Sequence, residues 1–451
     1  MTPVDGWKSK PLSQLLSLVI DFRGKTPKKL GMEWGNGDIP ALSANNVGMG
    51  RIDFSKECYL ASDDLYRKWM TKGDAQMGDV VLTTEAPLGN VAQIPDTRRY
   101  ILSQRAILLR ANGTDISSDY LRHYLTSQLF QNLMRQQSSG TTATGIQRAK
   151  LETLSVSFPI SQLEQATITE ILSRADRAIE QAEALITKQH RLKAGLIQNL
   201  FTRGVDEHGC LRSEHHDAFK ESPLGRIPTD WEVKPITAVM VGSSRNGMFK
   251  KPELVGSGFK LINVSEIYQP FGIDTEFESV ERIAALPEDL SKYGVIEGDL
   301  LFTRSSLVLE GIAHCNIIRR VKEPTLFECH VIRLRPNKSI IIPEFLALFC
   351  QSPVARRFLM SRAKHVTMAT ISQPELEALQ VPVPRRLDEQ QRIVDAVLSG
   401  DQAVRRSQTH RDKLMKLKVA LMQDLLTGKK RVTPLFARET TQQILTSHGP
   451  H

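Results

Sequence analysis

The chain of 451 residues contains no Pro-Pro dipeptide, no Cys-x-x-Cys pair and no Gly-x-Gly-x-x-Gly. Each absence removes a chemistry. A DNA adenine methyltransferase holds its flipped base with an Asn- or Asp-Pro-Pro-aromatic motif. A zinc finger or disulfide scaffold needs paired cysteines, and a dinucleotide site needs the glycine fingerprint. The five cysteines, Cys58, Cys210, Cys315, Cys329 and Cys350, are scattered. His314-Cys315 and Cys329-His330 suggest a metal site, but two neighbouring strands that each carry a small buried thiol beside a polar residue explain them better, and no metal is expected.

Two further motifs are incomplete. Gly24-Lys25-Thr26 resembles the end of a phosphate loop, but Val19 stands where its first glycine is needed. Pro95-Asp96 opens a nuclease pattern whose next glutamate is Glu152, in the wrong context for a metal-binding set. The expectation is therefore a chain without catalytic residues and without a cofactor. No run of about 18 apolar residues is present, so no membrane span is expected. The first residues, Met1 to Trp7, lack the basic and apolar stretches of a signal peptide, which points to the cytoplasm.

What is present is an ordinary globular composition: 41% hydrophobic, 24% charged, with 59 Lys plus Arg against 50 Asp plus Glu for a net charge of +9. The length suggests two to four domains. The dominant feature is an internal repeat. Phe158-Pro159 followed by Glu164-Gln165 returns as Val383-Pro384 followed by Glu389-Gln390, an offset of 225 for the Glu-Gln pair. The same offset carries Leu109-Arg110 onto Leu334-Arg335, Ser127 onto Ser352, and Leu192-Lys193 onto Leu417-Lys418. Gly78-Asp79 matches Gly298-Asp299 and Trp7 matches Trp231 at slightly shorter offsets. Matches that keep their order and include Gly and Pro set the same backbone twice, so the chain is one unit written two times.

Within each copy, the apolar runs Asp79–Thr84, Ala106–Arg110 and Val331–Arg335 read as strands, and Tyr120–Met134 and Phe345–Met360 as amphipathic helices. After Pro159 and Pro384, about 40 residues run without proline to Gly204 and Gly428, which predicts two long helices. Their predicted seams run through Ile168, Ile171, Ala175, Ala178, Ala182, Leu185, Gln189, Leu192, Leu196 and Asn199, and through Ile393, Ala396, Gly400, Ala403, Ser407, His410, Leu414, Leu417, Leu421 and Asp424. Leu172, Ile179, Ile186 and Leu200 widen the first stripe. The middle of the second is weak, which favours pairing of the two helices. The expected fold class is mixed α/β: two homologous α/β domains separated by two long antiparallel helices forming a coiled coil, with a pseudo-two-fold internal repeat. At about 1.5 Å per residue each helix would be roughly 60 Å long, enough to hold two readers over neighbouring segments of duplex DNA.

The doubled apolar-Pro then Glu-Gln pattern resembles the specificity subunit of type I restriction-modification systems. So do Arg23-Gly24-Lys25-Thr26-Pro27 near the start and Pro223-Leu224-Gly225-Arg226-Ile227-Pro228 before Trp231. The resemblance implies two target recognition domains that read a bipartite DNA sequence. It also implies helices that dock two adenine-N6 methyltransferase subunits, with translocating restriction subunits completing the complex. On this reading residues 1–160 form the first target recognition domain, 161–215 a central helical spacer, 216–384 the second recognition domain, 385–431 a distal helical spacer and 432–451 a flexible tail. The stretches 36–44 and 256–264, which match poorly, would help set different specificities. The partner-docking helices would present Ile168, Leu172, Ile179, Leu185, Leu192, Leu196, Ile393, Val397, Val404, Leu414, Leu417 and Leu421.

Double-stranded DNA is the expected ligand. Arg23, Lys25, Lys28 and Lys29 lie in a Gly/Pro-punctuated loop, and Arg245, Lys250 and Lys251 recur in the matching place, as suits phosphate contacts. The polar loop with Thr141 and Thr142 is matched by the loop with Lys364, His365 and Thr367, which supplies further candidates; a helix N-cap before Ile146 and Ile371 accounts for the same residues. Residues 385–431 hold 12 Lys plus Arg against 6 Asp plus Glu, whereas 161–205 hold 6 against 5, so little net charge is left for the globular parts. Much of the sequence-independent affinity is then expected from a partner subunit. Two other classes compete: an enzyme, which would turn over substrate alone, and a scaffold, which has no need for diverged globular ends.

Overall fold

The structure, a computed structural model, describes residues 4–139, 144–213, 215–276, 280–365 and 368–434. The chain divides into two compact units, Met1–Ala184 with Gln408–His451, and Leu185–Ser407. Each long helix therefore gives half its length to each unit.

Both units are built on a mainly antiparallel sheet. In the first unit the strand order is Leu16–Asp21, Ala106–Ala111, Val80–Thr84, Leu88–Gln93. In the second it is Arg245–Asn246, Val331–Leu334, Leu300–Thr303, Cys315–Arg320, Ile273–Asp274, the last pair parallel. The inner strands Val80–Thr84 and Leu300–Thr303 are buried at every position. Side chains on a strand alternate between faces, and both faces are covered here. Val80 and Leu82 enter one apolar core while Val81 enters another, and Leu300 and Phe302 part from Leu301 in the same way. A strand buried on two sides reads as an unbroken apolar run, which is how these appear in the sequence.

Two repeat-matched motifs bind each other. Arg110 donates to Asp79 at 2.8 and 2.7 Å, and Arg335 donates to Asp299 at 2.7 and 2.8 Å. Both carboxylates are nearly inaccessible, and the two-pronged bond raises the arginine pKa in each unit, burial acting against it. The predicted helices Tyr120–Met134 and Phe345–Met360 are each broken in two: Ser118–Thr126 and Gln128–Gln137, then Pro343–Gln351 and Pro353–Arg362. The break falls on the matched serines. The hydroxyls of Ser127 and Ser352 accept from the amides of Phe130 and Ala355, so each caps the second helix at the point where the first stops.

The Glu-Gln motif opens each long helix, Gln162–Arg203 and Leu387–Leu425. Strands Trp7–Pro11 with Ser155–Pro159, and Glu232–Pro235 with Gln380–Val383, lead into it. Gln165 donates to the carbonyls of Asp115 and Pro159 and accepts from the Ser117 amide; Gln390 does the same with Ile340, Pro384 and Ile342. The glutamate beside it is fully buried in each copy. Glu164 accepts from Arg431 at 2.7 and 2.8 Å, and Glu389 from Arg212 at 2.8 Å and from the Trp231 indole at 3.2 Å. Helix starts and ends therefore meet antiparallel inside each unit. Lys418 pairs with Asp176 in the first and Lys193 with Asp401 in the second, positions related by the repeat.

The helix seam differs from its predicted register by one residue at every second position. Buried or half-buried positions follow 168, 172, 175, 179, 182, 186, 189, 193, 196 and 200, and the matching 393, 397, 400, 404, 407, 411, 414, 418, 421 and 425. Leu185, Leu192 and Leu417, predicted in the seam, are exposed. The apolar content fits both registers because they share every second position, and only the partner surface separates them. The middle of the second helix stays weak in the observed register, where Gly400, Ser407 and Arg411 flank Val404, which takes the place of Ala403. After each helix a left-handed glycine turns the chain. At Gly204, φ +66°, a Cβ would stand 2.5 Å from the Trp231 ring, and Gly428, φ +70°, abuts Trp7 in the same way.

The tail does not begin at 432, because Val432 is buried in the first unit's core; residues 435–451 lie outside the described residues. Among the described residues no helix is long and apolar enough to cross a membrane.

Candidate nucleic-acid interface

The polar loops singled out in both copies dock at the same place. In the first unit Ile146 N donates to Thr84 O, and Glu85 bridges to Gly145, so Gly145 and Ile146 lie along the continuation of the buried strand. In the second unit Ile371 N donates to Arg304 O, and strand Ser305–Ser306 pairs with Ala369–Thr370, itself paired with Lys364–His365. Each unit thus carries a short polar ribbon at one end of its sheet. The predicted helix cap falls after the loop: the Gln147 side chain makes no cap bond, whereas Ser372 forms a capping box with Glu375.

Beside the first ribbon a cavity of about 570 Å³ is lined by Asp21, Arg23, Thr84, Glu85, Ser139 and Arg148, among others. Arg23 is not a free cation. It binds Asp21 at 2.7 and 2.9 Å and the Thr84 hydroxyl at 3.2 Å. Burial alone would raise the Asp21 pKa, but the Arg23 bonds and charge outweigh it and hold Asp21 below its ordinary value. Lys25 is turned inward: its Nζ donates to the carbonyls of Lys68 and Trp69 and lies 4.9 Å from the centre of the Phe22 ring. There it caps the C-terminus of helix Asp63–Trp69, and burial lowers its pKa. Lys28 and Lys29 are exposed, Lys29 donating to Gly24 O at 2.7 Å. Thr141 and Thr142 lie outside the described residues.

In the second unit Arg245, Lys251 and Lys364 are exposed, Lys364 standing 3.9 Å from Glu375. Lys250 is held by Glu281 at 2.5 Å. The His365 side chain and Thr367 lie outside the described residues. Two residues at this ribbon, Arg304 and Ser305, went unnoticed in the sequence. Arg304 is exposed and donates to Cys329 O at 3.3 Å, and the Ser305 hydroxyl lies 2.6 Å from His330 Nδ1. A signal was available, since the offset of 220 that aligns the buried strands lays Arg304 and Ser305 on Thr84 and Glu85, at the ribbon.

The four residues weighed for a metal do not gather. Cys315 is wholly buried, with Cys350 as its hydrogen-bonding neighbour, and His314 stacks on Tyr268 with ring centres 5.0 Å apart. Glu328, Cys329 and His330 do place their donor atoms within 4.8 Å of one another.

Of the helix residues named for docking, Ile168 and Leu172 are buried in the first unit's core, and Ile393 and Val397 in the second's; Val404 is buried as well. These five hold their own units together and are withdrawn from any partner surface. Ile179, Leu196, Leu414 and Leu421 are half-buried, and Leu185, Leu192 and Leu417 stand exposed.

Comparison with known proteins agrees with the doubled architecture. The family model for the type I restriction modification DNA specificity domain matches residues 4–188 and again 228–412. The chain is similar to the type I restriction enzyme MjaVIII specificity subunit of Methanocaldococcus jannaschii, 27% identical over 77% of this chain and 78% of that protein. It is also similar to the putative MjaX specificity subunit of the same organism, 24% identical over 95% and 94%, and to the Escherichia coli EcoKI specificity subunit, 22% identical over 80% and 74%. Among solved structures, the S subunit from M. genitalium superposes with a TM-score of 0.51 at 16% identity, covering 93% of this chain and 96% of that one. A chain from a study of type I restriction-modification complex assembly and conformational transition does so with a TM-score of 0.56 at 16% identity, covering 94% and 98%. With two copies of the specificity domain over most of its length, the chain belongs to the specificity subunits of type I restriction-modification systems.

Proposed function

We propose that the chain reads an asymmetric, bipartite double-stranded DNA target, one half-site per unit, and brings two adenine-N6 methyltransferase subunits and the restriction subunits to it without catalysing a step itself. The observation that carries this reading is the polar ribbon built at the same place on both sheets from different residues: Glu85 and Ser139 in one unit, Arg304 and Ser305 in the other. One backbone device bearing two sets of side chains is what two different half-sites require. The exposed faces of the long helices, Leu185, Leu192 and Leu417 among them, are the surfaces left for partners.

Methylation mapping tests the reading. The chain is expressed with its cognate methyltransferase subunit and host DNA is sequenced for modified adenine, then residues 12–150 are exchanged for those of another family member. An interrupted asymmetric motif should appear, and only one half of it should change. Modification that does not depend on the chain would leave the scaffold reading in front.

A second expectation concerns phosphates. In the complex with the methyltransferase, Lys28→Ala, Lys251→Ala and Lys364→Ala should each lower the slope of log K against log salt by about 1 and leave the motif unchanged. A changed motif would mean that the side chain meets base edges. The chain alone should bind weakly, since its globular parts hold little net positive charge.

A further inference from the structure

Leu307 is the most exposed large apolar side chain among the described residues, 81% accessible, and Val308 beside it is 57% accessible. A lone exposed leucine needs no explanation. This one is held out. It stands in the turn after strand Ser305–Ser306, where Val308 N donates to the Ser306 hydroxyl at 3.2 Å. Behind it the chain is fastened by Tyr268, which donates to Gly311 O at 2.8 Å, and by Arg356, which donates to Glu310 O at 2.7 Å and Ile312 O at 2.5 Å. Fastened in this way, the tip is not free to fold back and bury its side chains.

The surroundings select the ligand. Arg304 precedes the same strand, and Lys364 lies on the ribbon paired with it. Phe249, 69% accessible, and Lys250 share a cavity of about 380 Å³ with His330, whose Nδ1 meets Ser305. An apolar tip on a ribbon that also carries Arg304 and Lys364 fits a polyanion with an apolar interior, which is stacked duplex DNA, better than it fits another protein's apolar core. At the matching position of the first unit stands Pro87, also exposed.

We propose that Leu307, backed by Val308, is a wedge that enters between two stacked base pairs of the half-site read by the second unit. Apolar wedges partly unstack one step and bend the duplex, and the cost is offset by the wider protein contact that the bend permits. Pyrimidine–purine steps open most easily, so this half of the target is read partly through deformability at a position with no hydrogen-bonded base. The proposal rests on the DNA-reading function above.

The test uses the full chain bound to its methyltransferase subunit on duplexes carrying the mapped target, with 2-aminopurine placed in turn along each half-site. Fluorescence should rise at one position in the second unit's half-site. Leu307→Ala should abolish the rise and increase Kd about tenfold, with the first half-site unaffected. The side chain is exposed, so the melting temperature should not move. A mapped motif with no unstacked position, or an unchanged signal in Leu307→Ala, overturns the wedge alone. Loss of the methyltransferase subunit from Leu307→Ala with the fluorescence intact would make the tip a protein contact, and the wedge falls. Absence of any chain-dependent motif overturns the DNA reading and the wedge together.

Discussion

His123→Leu should remove most of the acid sensitivity of the first unit. His123 is wholly buried on helix Ser118–Thr126. Its Nε2 lies 2.8 Å from Arg122 Nη2, which only donates, so Nε2 accepts and the ring proton sits on Nδ1. Nδ1 has no hydrogen-bond partner and lies 4.0 Å from Asp176. Burial, with the charges of Arg122 and Lys418 against the weaker pull of Asp176, lowers the imidazole pKa from 6.5 to about 3.

Between those two values the unfolded chain takes up a proton that the folded one refuses, so stability is full above about pH 6.5 and falls as pH drops towards 3. At 1.36 kcal/mol per pKa unit the loss reaches about 3 kcal/mol by pH 4. Asp176 acts in a lower window. Its burial is outweighed by Lys418, His123 and Arg122, its pKa is lowered from 3.8, and its contribution is lost only below that value. The second unit carries Leu348 at the position matching His123, in an apolar core, so leucine is already used there. Hydrogen exchange in helix Ser118–Thr126 at pH 7, 5 and 4 would measure the effect. An equal loss in wild type and variant would refute the role given to His123.

Glu389→Ala should destabilise the second unit by about 3 kcal/mol. The carboxylate accepts from Arg212, from the Trp231 indole and, at 3.2 Å, from the Val205 amide. Burial pushes its pKa up in spite of Arg212, so the ionised group is held at a cost that only its full set of donors offsets. Arg212 is itself desolvated, which lowers its pKa, yet it ends above the ordinary value, chiefly through its bond to Asp230 at 2.6 Å. The shift on Arg212 therefore reports Asp230 more than Glu389. In the variant Arg212 keeps Asp230, whereas the indole and the amide have no other acceptor among the described residues. Glu389→Gln, which keeps a neutral acceptor, should lose less. Exchange in peptides spanning Val205 and Trp231 would report both changes, and a loss under about 1 kcal/mol in the alanine variant would contradict this account.

Much of this was legible in the sequence because the repeat reports on itself. Gly-Asp and Leu-Arg recur together because each arginine binds its own copy's aspartate, and Glu-Gln recurs because the glutamine ties the helix start to two loops. The seam register was not legible: Ile171 and Leu185 are as apolar as Leu172 and Ile186, and only burial against the opposing helix chooses between them. Arg304 and Ser305 were passed over because they end a strand whose interest in the sequence was its apolar run. Lys25 misled for the opposite reason, since a lysine in a Gly/Pro loop carries no mark of the helix end it caps.

The doubling, the two long helices with their glycine stops and the family can be read from the chain, since all depend on local backbone preferences and on matches between distant segments. Which charges are spent inside the protein, as those of Arg23, Lys25 and Arg212 are, and which remain for a ligand emerges only once the chain is folded. Arg23 meets Thr84, Lys25 meets Trp69 and Arg212 meets Glu389 across 61, 44 and 177 residues of chain, and pairing at that distance is set by packing.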